Sequence, residues 1–187
     1  MIPPFPIAEP TMTVRRLFPR AAIGLLALGL FGLVLIGDAE AAGKAEEAKK
    51  YTEVLKTTKD TKKKAEAIEE LGKLGMIQRS LAEDAFADIK KSLDDHEPIV
   101  RKAAAEAYGK LDPDPKEAVP LLTKMLTDDK EETVKIGAAN GLAAMRENAK
   151  EALPELRKIV KELKEDKKSK LGRAAQEAAR AIAEKKK

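Results

Sequence analysis

The 187-residue chain contains no cysteine and no tryptophan, and it has a single histidine, His96. Without cysteine, the protein cannot form a disulfide, use a thiol as a nucleophile or carry a lipoprotein anchor. Ser92 and Ser169 lie near predicted helix ends, and neither has a histidine predicted nearby that could activate it. We therefore predict no catalytic residue, and we expect the stability of the fold to come from helix packing.

Aromatic residues make up 3% of the sequence, and this scarcity disfavours nucleic acid as a partner. Single strands stack their bases on exposed aromatic rings, and no basic run here is interleaved with aromatics. The formal net charge is +4, from 36 basic and 32 acidic residues. Because basic and acidic residues alternate along the chain, we expect most charged side chains to lie on solvated helix faces. We expect no specific nucleic-acid partner and no cofactor.

Strand signals are missing, and a helix-start signal recurs instead at a fixed interval of 34 residues. In each case a residue that can cap a helix N-terminus is followed three positions later by glutamate, which can reach back to the capping residue. The pairs are Ser80 with Glu83, Asp114 with Glu117 and Asn148 with Glu151. A repeat of this length is typical of stacked helical hairpins.

A second helix follows the first in each unit. An acidic residue is followed five positions later by an apolar residue, which opens an apolar stripe with the spacing of one helix face. The acidic residues are Asp95, Asp129 and Asp166, and the stripes begin at Val100, Val134 and Leu171. Each unit is therefore predicted to contain two helices.

The stretch from Asp95 to Leu111 closely resembles the second helix of a HEAT repeat, in particular the short bacterial kind similar to phycobilisome-lyase repeats. The resemblance implies an all-α fold, a short right-handed α-solenoid of about four antiparallel helix pairs. An N-terminal hydrophobic signal helix is expected to precede the solenoid on separate grounds, given below. The expected organisation is an export signal in 1–41, a degenerate helix pair in 42–79, and HEAT-like repeats in 80–113, 114–147 and 148–187.

The resemblance also implies a ladder of ion pairs between neighbouring repeats. In the family, the aspartate of the turn pairs with the arginine that follows the first apolar residue of the second helix. The expected ladder residues are Asp95, Asp129 and Asp166 with Arg101 and Lys135. Gly172 occupies the cationic position of the last unit, so the ladder should stop there.

The N-terminal segment is predicted to be an export signal. Arg15, Arg16 and Arg20 precede an apolar run at 21–36, and a small-x-small site ends at Ala41. This order is typical of a signal peptide cleaved after Ala41. The protein is then exported to the periplasm or the outside; in the alternative, residues 21–36 are retained as a membrane anchor.

The export route and the start of the chain have alternatives. The pair Arg15-Arg16 also resembles a twin-arginine signal, whereas an ordinary basic segment would direct export by the general route. The first eleven residues lack the basic character of a signal start, so Met12 is a second candidate for the initiator.

The remaining candidate for function is the surface of the second helices, which lines the concave face in HEAT solenoids. We expect small residues such as Ala105, Gly109 and Ala139 to let a partner approach the backbone there, with Ile136 as an apolar anchor. In the alternative, Ile136 merely packs against its neighbours. The predicted partner-binding residues are Lys102, Glu106, Ile136, Asn140, Arg173 and Glu177.

These features predict an exported, non-catalytic HEAT-repeat scaffold that binds a protein or peptide. The alternatives are an accessory subunit of an enzyme, as in lyase-like HEAT proteins, and a membrane-tethered interaction module that contacts the membrane only through an uncleaved signal. The pair His96-Glu97 is similar to the metal-binding dipeptides of a HEAT-like iron hydroxylase. That family needs several such pairs, so we expect no metal site here.

Overall fold

The structure is a computed structural model that describes residues 40–166 and 168–184. Within these ranges the chain forms helices and turns and contains no β-strand. The predicted signal, including Met12 and the apolar run at 21–36, lies outside the described residues except for Glu40 and Ala41, which belong to the first helix. None of the described helices combines the length and the apolar content that a membrane crossing requires.

The helices follow one another through short connections. The α-helices of the described part are α1 (40–57), α2 (Thr61–Ile77), α3 (Phe86–Lys91), α4 (Pro98–Lys110), α5 (Pro115–Asp128), α6 (Glu132–Met145), α7 (Leu153–Glu162) and α8 (Lys170–Ala183). Short 3-10 helices cover Arg79–Ala85, Ser92–Asp94 and Arg146–Ala152.

The helices alternate between two layers. The second helices α2, α4, α6 and α8 each pack on the next in that order, while α5 packs on α6 and α7 on α8. Contacts between nearest neighbours alone are the defining property of a solenoid. The prediction of an all-α solenoid built from helix pairs is confirmed, and its right-handed sense stays a prediction.

The apolar stripes predicted for the second helices form the core. Every member of the stripes that begin at Val100 and Val134 is buried. In α8 the stripe is buried at Ala174, Ala175, Ala178 and Ile182 and half-buried at its edges. Burial of one continuous set of apolar side chains therefore holds successive pairs together.

The predicted capping signals form in one unit of the three. Asp114 caps α5, and its side chain accepts a hydrogen bond from the Lys116 amide at 3.0 Å. Ser80 and Asn148 instead lie inside 3-10 helices and accept no capping bond from the backbone. The physical difference is Pro115, because a residue that precedes proline is disfavoured in the helical region and stays extended, as an N-cap requires.

The turns that follow α4 and α6 share an unusual backbone conformation. Asp112 and Arg146 have φ values of 50° and 51°. Arg146 directly follows α6, and Asp112 comes two residues after the end of α4. They lie one 34-residue repeat apart. The backbone conformation of the turn therefore repeats along with the sequence, although the residue at this position is Asp in one turn and Arg in the other.

Helices α4 and α6 approach each other closely at two glycines. A Cβ atom added at Gly109 would lie 2.1 Å from the carbonyl oxygen of Gly141, and one added at Gly141 would lie 2.3 Å from the carbonyl oxygen of Ala105. Both distances are far below van der Waals contact, and the atoms approached belong to the backbone. Glycine is therefore required at both positions by the spacing of the helices.

Substitution Gly141→Ala should lower the free energy of unfolding by about 1–3 kcal/mol, the usual cost of overpacking. Gly43→Ala is the matched control, because nothing lies within 4 Å of a Cβ added there. Alanine at position 43 should be neutral, or stabilising by up to about 1 kcal/mol through helix propensity. Urea denaturation followed by circular dichroism measures both changes. Similar effects of the two substitutions would contradict the close contact.

Candidate interaction surface

The predicted partner-binding residues lie on three successive second helices. Lys102 and Glu106 are half-buried on α4, Ile136 is half-buried on α6, and Asn140 is exposed one turn beyond it. The two predicted residues of α8, Arg173 and Glu177, are also one turn apart and exposed. The predicted residues therefore span three successive second helices.

Glu106 joins α4 to α6 on this surface. Asn140 Nδ2 donates a hydrogen bond to Glu106 Oε1 at 3.0 Å, and Lys102 Nζ lies 4.0 Å from the same oxygen. The contact between Glu106 and Asn140 spans one 34-residue repeat. The structure therefore brings Lys102, Glu106 and Asn140 together.

The expectation that small residues leave the backbone open to a partner is wrong at Ala105, Gly109 and Ala139. All three are buried, and Ala105 and Ala139 have no exposed surface. The physical reason is that a second helix in the middle of a solenoid packs against both neighbouring second helices as well as against a first helix. Its small residues therefore serve the contact between α4 and α6 rather than a groove.

Ile136 packs partly against the core and also lines a recess of about 630 Å³. The recess lies between the start of α6 and the start of α8, beside the connection from α7. Leu163 and Leu171 contribute to the same wall. Ile136 therefore packs against its neighbours and also presents apolar surface to solvent.

Arg101 forms the central rung of the ladder. Its Nε and Nη2 atoms donate to the two carboxylate oxygens of Asp129 at 2.8 Å and 3.0 Å. Its Nη1 atom donates to the carbonyl oxygens of Asp95 and His96 at 2.8 Å and 3.0 Å. The guanidinium therefore ties the turn before α4 to the turn before α6, with the bidentate geometry that arginine favours.

Sequence reasoning missed a rung at Lys64, whose Nζ atom lies 2.6 Å from Asp95 Oδ2. Lys64 is the fourth residue of α2, just as Arg101 is the fourth of α4 and Lys135 the fourth of α6. This common position could have predicted the Lys64 rung. The register of the first pair was not recognised, because that pair lacks the capping motif.

The predicted rung between Lys135 and Asp166 does not form in the described part of the chain. Lys135 Nζ donates instead to the carbonyl oxygen of Thr127 at 2.9 Å. Asp166 accepts a bond from the Lys168 amide at 3.0 Å, as Asp129 does from Glu131. The turns at Asp129 and Asp166 therefore share the same hydrogen bond to a backbone amide. The Asp166 carboxylate nevertheless forms no ion pair with Lys135, its expected partner.

The two rungs that form are ionic. The hydrogen bond from Arg101 holds the pKa of the Asp129 carboxyl below its ordinary value, against partial burial. Burial is the largest influence on Asp95 and opposes its ionisation, but hydrogen bonds from Lys64 and the Glu97 amide together lower its pKa. Both carboxylates are therefore charged at neutral pH, as a ladder requires.

His96 is exposed at the turn before α4 and lines a second, polar recess of about 360 Å³ beside Lys64 and Asp95. Among the described residues, no group of three or more acidic or histidine side chains is arranged to hold a metal ion. Asp95 is engaged by Lys64 and by the Glu97 amide.

Comparison with protein families agrees with this geometry. The family model that describes HEAT repeats matches residues 48–143, more than half of the chain. The chain belongs to the HEAT-repeat family. The match begins in α1 and ends in α6, so it includes both rungs of the ladder. No curated protein matches this HEAT-repeat chain in a sequence comparison.

Membership of the HEAT-repeat family also carries a coarse functional meaning. HEAT repeats generally mediate protein interactions as scaffolds, and proteins built from them are typically non-catalytic. Stacked repeats present an extended surface of successive helices, which suits that role.

Arg101→Lys should destabilise this HEAT-repeat protein by about 1–3 kcal/mol, because lysine cannot form the bidentate pair and keep the bonds to the two carbonyls. Urea denaturation gives the change in the free energy of unfolding. The control is Arg157→Lys, the same substitution at an exposed position of α7. If both variants keep the wild-type stability, Arg101 does not stabilise the ladder.

The ladder should also weaken in acid. A carboxyl whose pKa is lower in the folded state contributes stability that is present above its unfolded pKa of about 4 and is lost as pH falls through its folded pKa. Between pH 7 and pH 3, Asp129→Asn should therefore lose less stability than the wild type, as measured by urea midpoints. Asp128→Asn is the control, since it removes an exposed neighbouring carboxylate and leaves the Arg101 pair intact. Equal losses in all three proteins would count against the ionic rung.

Proposed function

We propose that this protein is an exported, non-catalytic HEAT-repeat scaffold that binds a protein or peptide partner through the exposed surface of α4, α6 and α8. The observation that carries the proposal is the continuity of that surface between α4 and α6. Glu106 contacts both Lys102 and Asn140, and Ile136 adds apolar area one helical turn from Asn140. A partly exposed apolar residue within a polar rim is the arrangement found at many protein interfaces.

The non-catalytic part of the proposal rests on the side chains that the sequence offers. A chain with one histidine and no cysteine has few residues for acid–base or nucleophilic chemistry. The single histidine lies at a turn next to the ladder. Binding uses what this protein has in abundance, which is a regular helical surface with both signs of charge.

The export part rests on residues 15–41, where three arginines precede an apolar run and a small-x-small site. An exported scaffold without disulfides would depend on its helix packing alone. The continuous core from Ala48 to Ile182 supports such a role.

Site-specific photo-crosslinking tests the proposed surface in the cells that make the protein. A photoreactive amino acid at Asn140 of the full chain should yield one reproducible cross-linked protein. The matched position is Lys124, which is also exposed but belongs to α5, the first helix of its pair. The same products from both positions, or none from Asn140, would contradict the proposal. If the captured protein is an enzyme, the chain is its accessory subunit.

A further inference from the structure

The recess between α6 and α8 marks the one junction, among those in the described residues, where a predicted rung fails to form. Lys64 pairs with Asp95 at the first junction and Arg101 with Asp129 at the second. At the third, Lys135 and Asp166 both line the recess without forming an ion pair. The recess of about 630 Å³ lies where this rung would be.

The position of the acid relative to the helix cap sets this junction apart. Asp95 and Asp129 each stand two residues before the caps of their helices, Glu97 and Glu131, whereas Asp166 stands three residues before the cap Ser169. The length of the connection alone does not, because six residues, 92–97, join α3 to α4 and seven, 163–169, join α7 to α8. The extra residue before the cap accompanies an acid that forms no ion pair with Lys135.

The walls of the recess are rich in positive charge. Lys130, Lys168 and Lys170 are exposed, and Lys135 is half-buried with a backbone carbonyl as its acceptor. The charged residues that line the recess are Lys130, Lys135, Lys168 and Lys170, against Glu132 and Asp166. A ligand that carries carboxylates complements this excess.

Part of the wall of the recess is apolar. Ile136, Leu163 and Leu171 line it and are each half-buried. Burial of a leucine-sized side chain against such a surface is favourable, because it removes apolar area from water. The chemistry of the site thus calls for a ligand with acidic groups around an apolar one.

We propose that this recess binds an acidic peptide segment of the partner, with a carboxylate beside Lys135 in the role that Asp95 and Asp129 play at the earlier junctions. A leucine-like side chain of the segment covers Ile136, Leu163 and Leu171. The proposal rests on the proposed function, since it names the chemistry of the partner at one end of the same surface. The partner supplies the acid that the last repeat fails to place.

Fluorescence anisotropy with the purified full chain tests the site directly. The probe is a short fluorescein-labelled peptide of glutamate and leucine, and the comparison probes are the same peptide with alanine for leucine and with lysine for glutamate. The first probe should bind, the alanine peptide should bind about tenfold more weakly, and the lysine peptide should not bind. Affinity should fall as salt rises, because the lysines are solvent-exposed.

Charge-reversed variants locate the binding. The double variant Lys130→Glu with Lys168→Glu should weaken binding of the first probe by about tenfold or more. The matched control is Lys116→Glu with Lys124→Glu, which makes the same change in net charge at exposed positions of α5. Circular dichroism of both double variants verifies that they stay folded.

Several results would overturn the proposal. The first probe does not bind the wild-type chain, or the two double variants weaken its binding equally. Equal affinity of the wild-type chain for the first probe and for the peptide with alanine in place of leucine would also contradict the proposal. Failure here is distinguishable from failure of the scaffold proposal. If the first probe does not bind the wild-type chain, and the Asn140 cross-link forms both in the wild type and in the Lys130→Glu, Lys168→Glu variant, the scaffold stands and the recess is not its acidic-peptide site.

Discussion

The backbone contact between α4 and α6 sets the spacing on which the rest of the solenoid depends. Gly109 and Gly141 meet where no side chain fits, and this brings two second helices as close as their backbones permit. Close approach in turn allows short polar contacts across the junction. Glu106 reaches Asn140 on the exposed side, and Arg101 reaches Asp129 at the ends of the same two helices. The interaction surface is thus a product of core packing.

Periodicity made the architecture predictable from the sequence, while details governed by local backbone preferences were not. The apolar stripes follow from a regular register, which one sequence displays directly, whereas the Arg101–Asp129 contact was implied by the resemblance to HEAT repeats. The capping motif was less reliable, because it begins a capped α-helix at Asp114 but lies inside a 3-10 helix at Asn148. A following proline decides between them, so the motif has to be considered together with its neighbour.

The candidate surface was harder to predict because alanine and glycine carry little information about burial. A helical projection assigns Ala105 and Ala139 to the face opposite the stripe, yet a central second helix has neighbours on several sides. Polar residues were placed better, since Asn140 and Glu177 are exposed. The recess beside Ile136 depends on the path of the connection before α8, and a longer connection in the sequence does not reveal the path it takes.

The missing rung has a consequence for how the protein unfolds. In a linear array, cooperativity passes from one repeat to the next through their shared interface alone. The interface between α6 and α8 retains its apolar contacts but lacks the ionic tie found at the other two. We therefore expect the last helix pair to be more weakly coupled to the array, with backbone amides that exchange with solvent through partial openings that leave α4 and α6 folded.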